Sequence, residues 1–250
     1  MSIFDAHFHI IDPRFPLVPN HGYLPDPFPI SDYQPWVQKL GINGGVVVSG
    51  SFQAFDQTYL IDALKTLGKN YVGVTQISVH TADSEIFELA KAGVKGIRFN
   101  VKRGGSESLA RIRELANRVY DLVGWHAELY IDAKEIDEFL FKLFISLPKI
   151  SIDHLGLSKE GLPTMIKLAE NGVKIKATGF GRVDFDVPIA LRMFAKADPT
   201  SLMFGTDLPS TRSRIPFSEK DLETIQEVFE GELLDDVLGN NARKFYGVES

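Results

Sequence analysis

The stretch "FDAHFHI", residues 4–10, decides how this chain is read. At a period of two, Phe4, Ala6, Phe8 and Ile10 fall on one face of a strand, and Asp5, His7 and His9 on the other. The apolar face is built for burial. Two imidazoles and a carboxylate are costly to bury unless they are paired with something or used for something. The stretch therefore predicts an inner strand with chemistry at one end.

Seven further β-rich runs follow, at 44–50, 71–77, 94–100, 126–131, 149–154, 173–179 and 202–207. Amphipathic segments separate them, among them 56–67, with Asp56 as its N-cap, 107–123 and 134–146. Eight alternations of strand and helix imply parallel strands with helices outside, closing into a (β/α)8 TIM barrel. The whole chain, 1–250, reads as one such domain. An open doubly wound sheet is the runner-up, but no glycine-rich dinucleotide loop follows the first strand. Residues 11–30 hold six of the 13 prolines. This stiff loop follows the first strand, so in a barrel it lies on the catalytic face, where it could form a lid.

Composition narrows the function classes. The 27 basic against 33 acidic residues give a net charge of −6, with no footprint for nucleic acid and no basic anchor for a membrane. No apolar run approaches the roughly 20 residues of a membrane span. There is no cysteine, which excludes disulfides, thiolate metal sites and a cysteine nucleophile. The first strand begins at once, leaving no room for a signal peptide, so a cytoplasmic protein is expected.

Barrel enzymes carry their chemistry at the C-terminal ends of the strands. Those ends hold Asp5, His7 and His9; Ser49; Arg98 and Asn100; Glu128 and Tyr130; Asp153 and His154; Lys176 and Thr178; and Asp207. Each has a bland reading. His154 alone could be a hydrogen-bonded structural group, and His126 sits at the wrong end of its strand. Asp153 is expected to face away from the site. Lys176 and Glu128 could pair inside the barrel, and Arg98 could hold an interior carboxylate. The bland readings weaken when His7, His9, His154 and Asp207 all converge on one mouth. Two chemistries then fit. His7, His9 and Asp207 could bind a divalent ion such as zinc or manganese. Alternatively, without metal, histidines polarise a carbonyl while Asp207 draws a proton from water.

"DAHFHI" on the first strand with "GTDLP" on the eighth resembles the amidohydrolase superfamily. "GIRFN", "DHLG", "KATG" and "GNNARKFYG" narrow the resemblance to the amidohydrolase-2 family, and within it to the 2-pyrone-4,6-dicarboxylate lactonases, nearly end to end. The resemblance implies a distorted barrel and a reactive cluster of His7, His9, His154 and Asp207. It implies ring-opening hydrolysis of a carboxylated lactone, with Asp207 as base, the three histidines on the carbonyl, and no cofactor. Arg98, Arg103 and Arg182, with Tyr23, Ser49 and Tyr130, are the expected substrate contacts, since guanidinium forks suit carboxylates. A metal-dependent amidohydrolase or decarboxylase, a sugar-acid lactonase and a non-catalytic binding barrel for organic acids are the alternatives. Two departures bear on the substrate. Leu157 stands where the family often has arginine after "DHLG", and Ser210 where many relatives have histidine after "GTDLP".

Overall fold

The computed structural model describes residues 2–249. Eight parallel strands run β1 (Ile3–Phe8), β2 (Ile42–Val48), β3 (Tyr71–Thr75), β4 (Val94–Phe99), β5 (His126–Leu129), β6 (Ile150–Ile152), β7 (Lys174–Ala177) and β8 (Leu202–Phe204), hydrogen-bonded in that order. Helices α1 (Ile30–Leu40), α2 (Thr58–Leu67), α3 (Asp83–Lys91), α4 (Ile112–Val123), α5 (Glu138–Ile145), α6 (Leu162–Glu170), α7 (Val187–Ala197) and α8 (Glu219–Val228) alternate with them. This is the (β/α)8 barrel that the alternation predicts. All eight strands fall within a residue or two of their expected starts but stop short of their expected ends. The last residues of each run have left the ladder and entered the loops at the mouth. Asp56 lies one residue too early to cap α2. Gln57 takes that position, and Asp56 accepts a hydrogen bond from the Thr58 hydroxyl.

The strict alternation of β1 does not survive. Asp5 pairs with Gly45 and Phe8 with Val47, so β1 carries one extra residue between them, a bulge. Phe4 and Ala6 pack with Val46, Val48, Val74 and Met203 in an inner cluster. Phe8 and Ile10 instead join the larger cluster that faces the helices. The bulge changes face midway, so Ala6 and His7 both point inward and Asp5 is turned out of the histidine face.

Asp5 has a structural task at the seam where β8 meets β1. Its buried carboxylate accepts from the Thr206 amide (2.8 Å) and hydroxyl (2.7 Å), the His7 amide (3.2 Å) and the Tyr33 hydroxyl of α1 (3.0 Å). Tyr33 in turn stacks flat on Phe8, with ring centroids 3.9 Å apart. Above it, the Asp207 amide donates to the His7 carbonyl and the His9 amide to the Leu208 carbonyl, both at 2.7 Å. The seam is tight: a Cβ on Gly205 would lie 2.6 Å from the His7 nitrogen. Asp5→Ala strands several buried donors, each worth about 1–3 kcal/mol. We expect it to cost at least about 3 kcal/mol in urea unfolding. A loss under about 1 kcal/mol would show that the seam closes without it.

The loop between β1 and α1 crosses the mouth. It is tied down by an Ile11–Phe28 bridge, by the Val18 amide on the Phe52 carbonyl, and by Asn20, which donates to the Arg103 carbonyl. Among the described residues, no helix is long and apolar enough to cross a membrane.

Candidate active site

The site lies at the C-terminal ends of β1, β6 and β8, where backbone strain concentrates. His154, Leu155, Leu157, Asp207, Ser210 and Arg212 all have positive φ without being glycine. Such conformations cost of order 1–3 kcal/mol each and persist where the surroundings impose them. β6 ends at Ile152, and the turn after it breaks the alternation. Neighbours Asp153 and His154 therefore both point inward. Asp153, expected to face away from the site, instead faces into it, against Arg98 and His7. Gly179 leaves room for His154: its φ is +60°, and a Cβ there would sit 2.7 Å from His154 Nδ1.

Four side chains converge. Asp207 Oδ1 lies 3.9 Å from His7 Nε2, 3.8 Å from His9 Nε2 and 4.0 Å from His154 Nε2. All four residues are buried, and neither Asp207 Oδ1 nor His7 Nε2 has a hydrogen-bond partner among the described residues. Two orphaned buried polar atoms aimed at one gap mark a place for a reacting atom. The other oxygen, Oδ2, accepts from Arg182 Nε at 2.7 Å. Burial pushes the Asp207 carboxyl above its ordinary value, against the pull of the Arg182 guanidinium. Burial also holds His7 and His154 well below the usual imidazole value, and takes His9 down to about 3. All three imidazoles are neutral near pH 7.

Beneath the gap lies a buried charge layer. Lys176 Nζ meets Glu128 Oε2 at 2.5 Å and His7 Nδ1 at 3.2 Å. Arg98 donates from Nη2 to Asp153 Oδ2 at 2.7 Å and from Nη1 to the Ser49 carbonyl at 2.9 Å. Burial favours the neutral acids, but the cations outweigh it, and both Glu128 and Asp153 stay below their ordinary values. His126 is at the opposite end, stacked edge-on against Phe245 and Tyr246.

Four arginines line the cleft above: Arg98, Arg103, Arg182 and Arg212, with Tyr23 and Tyr130. Two of the four are neutralised, Arg98 by Asp153 and Arg182 by Asp207. Among the described residues, Arg103 and Arg212 have no carboxylate within ion-pair distance. Arg212 lies 4.2 Å over the Tyr23 ring and donates from Nη1 to Asn20 Oδ1 at 2.9 Å. Burial and the neighbouring Arg103 depress its pKa. Sequence reasoning missed Arg212, which follows β8 in "STR" with no periodic signal. Ser49 does not line the cleft. Its hydroxyl is 2.6 Å from the Tyr59 hydroxyl. Ser210 closes the turn after Asp207, its hydroxyl accepting from the Phe217 amide.

The cluster has the chemistry of a divalent metal set, and His7, His9 and Asp207 are close enough to share an ion. An imidazole that ligates metal ordinarily donates its second N–H to an acceptor. His9 meets that condition, with Nδ1 2.7 Å from the Val48 carbonyl. His7 does not, because its Nδ1 sits on an ammonium group. The set as built does not fit a tightly held cation.

The amidohydrolase family model, Amidohydro_2, matches residues 4–248. A 2-pyrone-4,6-dicarboxylate hydrolase of Comamonas testosteroni is 31% identical over 157 residues, 61% of this chain. The aligned region spans about half of that relative, 51% of its length. A 4-sulfomuconolactone hydrolase of Rhizobium radiobacter is 26% identical over 82% of this chain and 75% of its own. A Pseudomonas putida structure, assigned as a 2-pyrone-4,6-dicarboxylic acid hydrolase, superposes with a TM-score of 0.82 at 26% identity, covering 99% of this chain and 98% of its own. One from Acinetobacter baumannii shares the fold at a TM-score of 0.86 and 19% identity, covering 99% and 100%. With its family match running from residue 4 to residue 248, the chain belongs to the amidohydrolase family.

Proposed function

We propose that this chain opens lactone rings by adding water, and that its substrate carries at least one acidic group. The observation that carries the reading is Asp207 Oδ1, buried, unpartnered and ringed by three neutral imidazoles under a cleft with two unpaired arginines. A carboxylate with a raised pKa suits a general base on water. Neutral imidazoles supply hydrogen bonds around the reacting atoms without a competing charge. The relatives' names support the same class, since both act on lactones that carry anionic substituents. The mechanism we propose uses no metal. The metal-dependent reading rests on the convergence of His7, His9 and Asp207, and the misplaced partner of His7 speaks against it. A lactone panel, with and without carboxylates and with and without chelator, tests both. Turnover of carboxylated lactones that survives chelation supports the proposal. Activity that disappears with chelator and returns with zinc overturns the metal-free mechanism.

The acidic group is assigned to Arg103 and Arg212. Two half-buried cations facing one cleft repel unless an anion lies between them, and charge-assisted hydrogen bonds are worth about 1.5–3 kcal/mol each. Arg212→Met is expected to lower kcat/KM about 10–100-fold for a carboxylated lactone and to leave an uncharged lactone within about twofold. Equal losses on the two substrates would remove Arg212 from substrate recognition.

A further inference from the structure

The three imidazoles around Asp207 are not equivalent, and their hidden nitrogens say how. His9 Nδ1 is 2.7 Å from the Val48 carbonyl. A carbonyl only accepts, so the proton of neutral His9 is on Nδ1 and its Nε2 is a bare lone pair. His7 Nδ1 is 3.2 Å from Lys176 Nζ, which is ion-paired with Glu128. An ammonium only donates, so His7 Nδ1 carries the lone pair and its Nε2 carries the proton. The competing acceptors for His7 Nδ1 are Asp153 Oδ1 at 3.4 Å and Glu128 Oε1 at 3.7 Å, both farther off. His154 Nδ1 is 2.8 Å from the Thr178 hydroxyl, which can donate or accept, so its tautomer is left free.

The gap is thus faced by one N–H, from His7, and by two acceptors, His9 Nε2 and Asp207 Oδ1. Distance alone does not choose an occupant. Four ligands of a tetrahedral zinc lie about 3.4 Å apart, and the partners of a tetrahedral water about 4.6 Å apart; the observed 3.8–4.0 Å falls between. The protons do choose. A cation is repelled by the His7 N–H. A carbonyl oxygen or oxyanion has no hydrogen to give to His9 or Asp207. A water satisfies all three, donating twice and accepting once, and keeps a lone pair for the cleft.

Resting on the lactonase reading above, we infer that the His7–His9–Asp207 gap is the seat of the hydrolytic water, with Lys176 as the residue that sets the His7 tautomer. The water's lone pair forms the new bond to the lactone carbon. One of its protons goes to Asp207 Oδ1. When the ring C–O bond breaks, its electron pair stays on the ring oxygen, which takes that proton back. The second proton remains on the new carboxyl group and is lost to solvent. Polarising the carbonyl then falls to His154, the one imidazole whose tautomer is free. Lys176 touches neither water nor substrate and is a positioning residue.

The test is long-range 1H–15N NMR of chelator-treated, 15N-histidine-labelled protein, with each signal assigned from a His→Gln variant. The expected result is His9 protonated at Nδ1 and His7 at Nε2 at neutral pH. A His7 signal protonated at Nδ1 in the wild-type protein overturns the proposal. In Lys176→Met, His7 is expected to turn its proton to Nδ1 and Asp153. kcat is then expected to fall about 10–100-fold with KM within about twofold, and zinc affinity to rise about 10–100-fold. An unchanged His7 tautomer in the folded variant also overturns it. Expected tautomers with no turnover of any lactone would instead refute the lactonase reading and leave the water site standing.

Discussion

Asp207→Asn is expected to lose lactone hydrolysis by about 10²–10⁴-fold, the range for a general base, while the barrel stays folded. An amide keeps an oxygen for Arg182, whose Nε now donates to Oδ2 at 2.7 Å. It puts an NH2 where Oδ1 faces the three imidazoles, and an NH2 takes no proton from water. The seam also survives, because it runs through the Asp207 backbone amide and not the carboxylate. The wild-type pH profile carries the same information. Only the ionised carboxylate is a base, and burial raises its pKa more than Arg182 lowers it. Activity is therefore lost as pH falls through a value above the ordinary carboxylate pKa of about 4. Wild-type turnover by a folded Asp207→Asn protein would take Asp207 out of the mechanism.

Arg98→Met is expected to act chiefly on stability, with a loss of about 3–5 kcal/mol. The guanidinium is only 3% exposed and puts two donors on Asp153 and one on the Ser49 carbonyl. Removing it leaves Asp153 buried beside Glu128 with Lys176 as the nearest remaining cation. Carboxylated and uncharged lactones should then lose activity together, in contrast to Arg212→Met. Thermal unfolding and both substrates on one variant decide the matter. An unchanged melting temperature with loss of the carboxylated lactone alone would make Arg98 a substrate anchor instead.

Much of the molecule was legible before any fold was known. Eight β-rich runs alternating with helical segments determined the strand count and the barrel. The polar residues at the strand ends were legible because a chain cannot place so many ionisable groups on inner strands without a shared use for them. The lysine at 176 and the glutamate at 128 could be read as partners, since β5 and β7 both point inward there. What the tertiary structure alone decided is which group meets which. The bulge in β1 turned Asp5 from the histidine face to the seam, and it depends on the register with β2, which no local pattern encodes. Asp153 stays extended and faces inward with Ser151, and it is His154, with positive φ, that the turn after β6 brings in beside it. Arg98 found Asp153 across 55 residues, Arg182 found Asp207 across 25, and Lys176 found His7 across 169. Residue types announced a reactive site, but proton positions follow from distances of a few ångströms between strands far apart in sequence. Only closure of the barrel sets those distances.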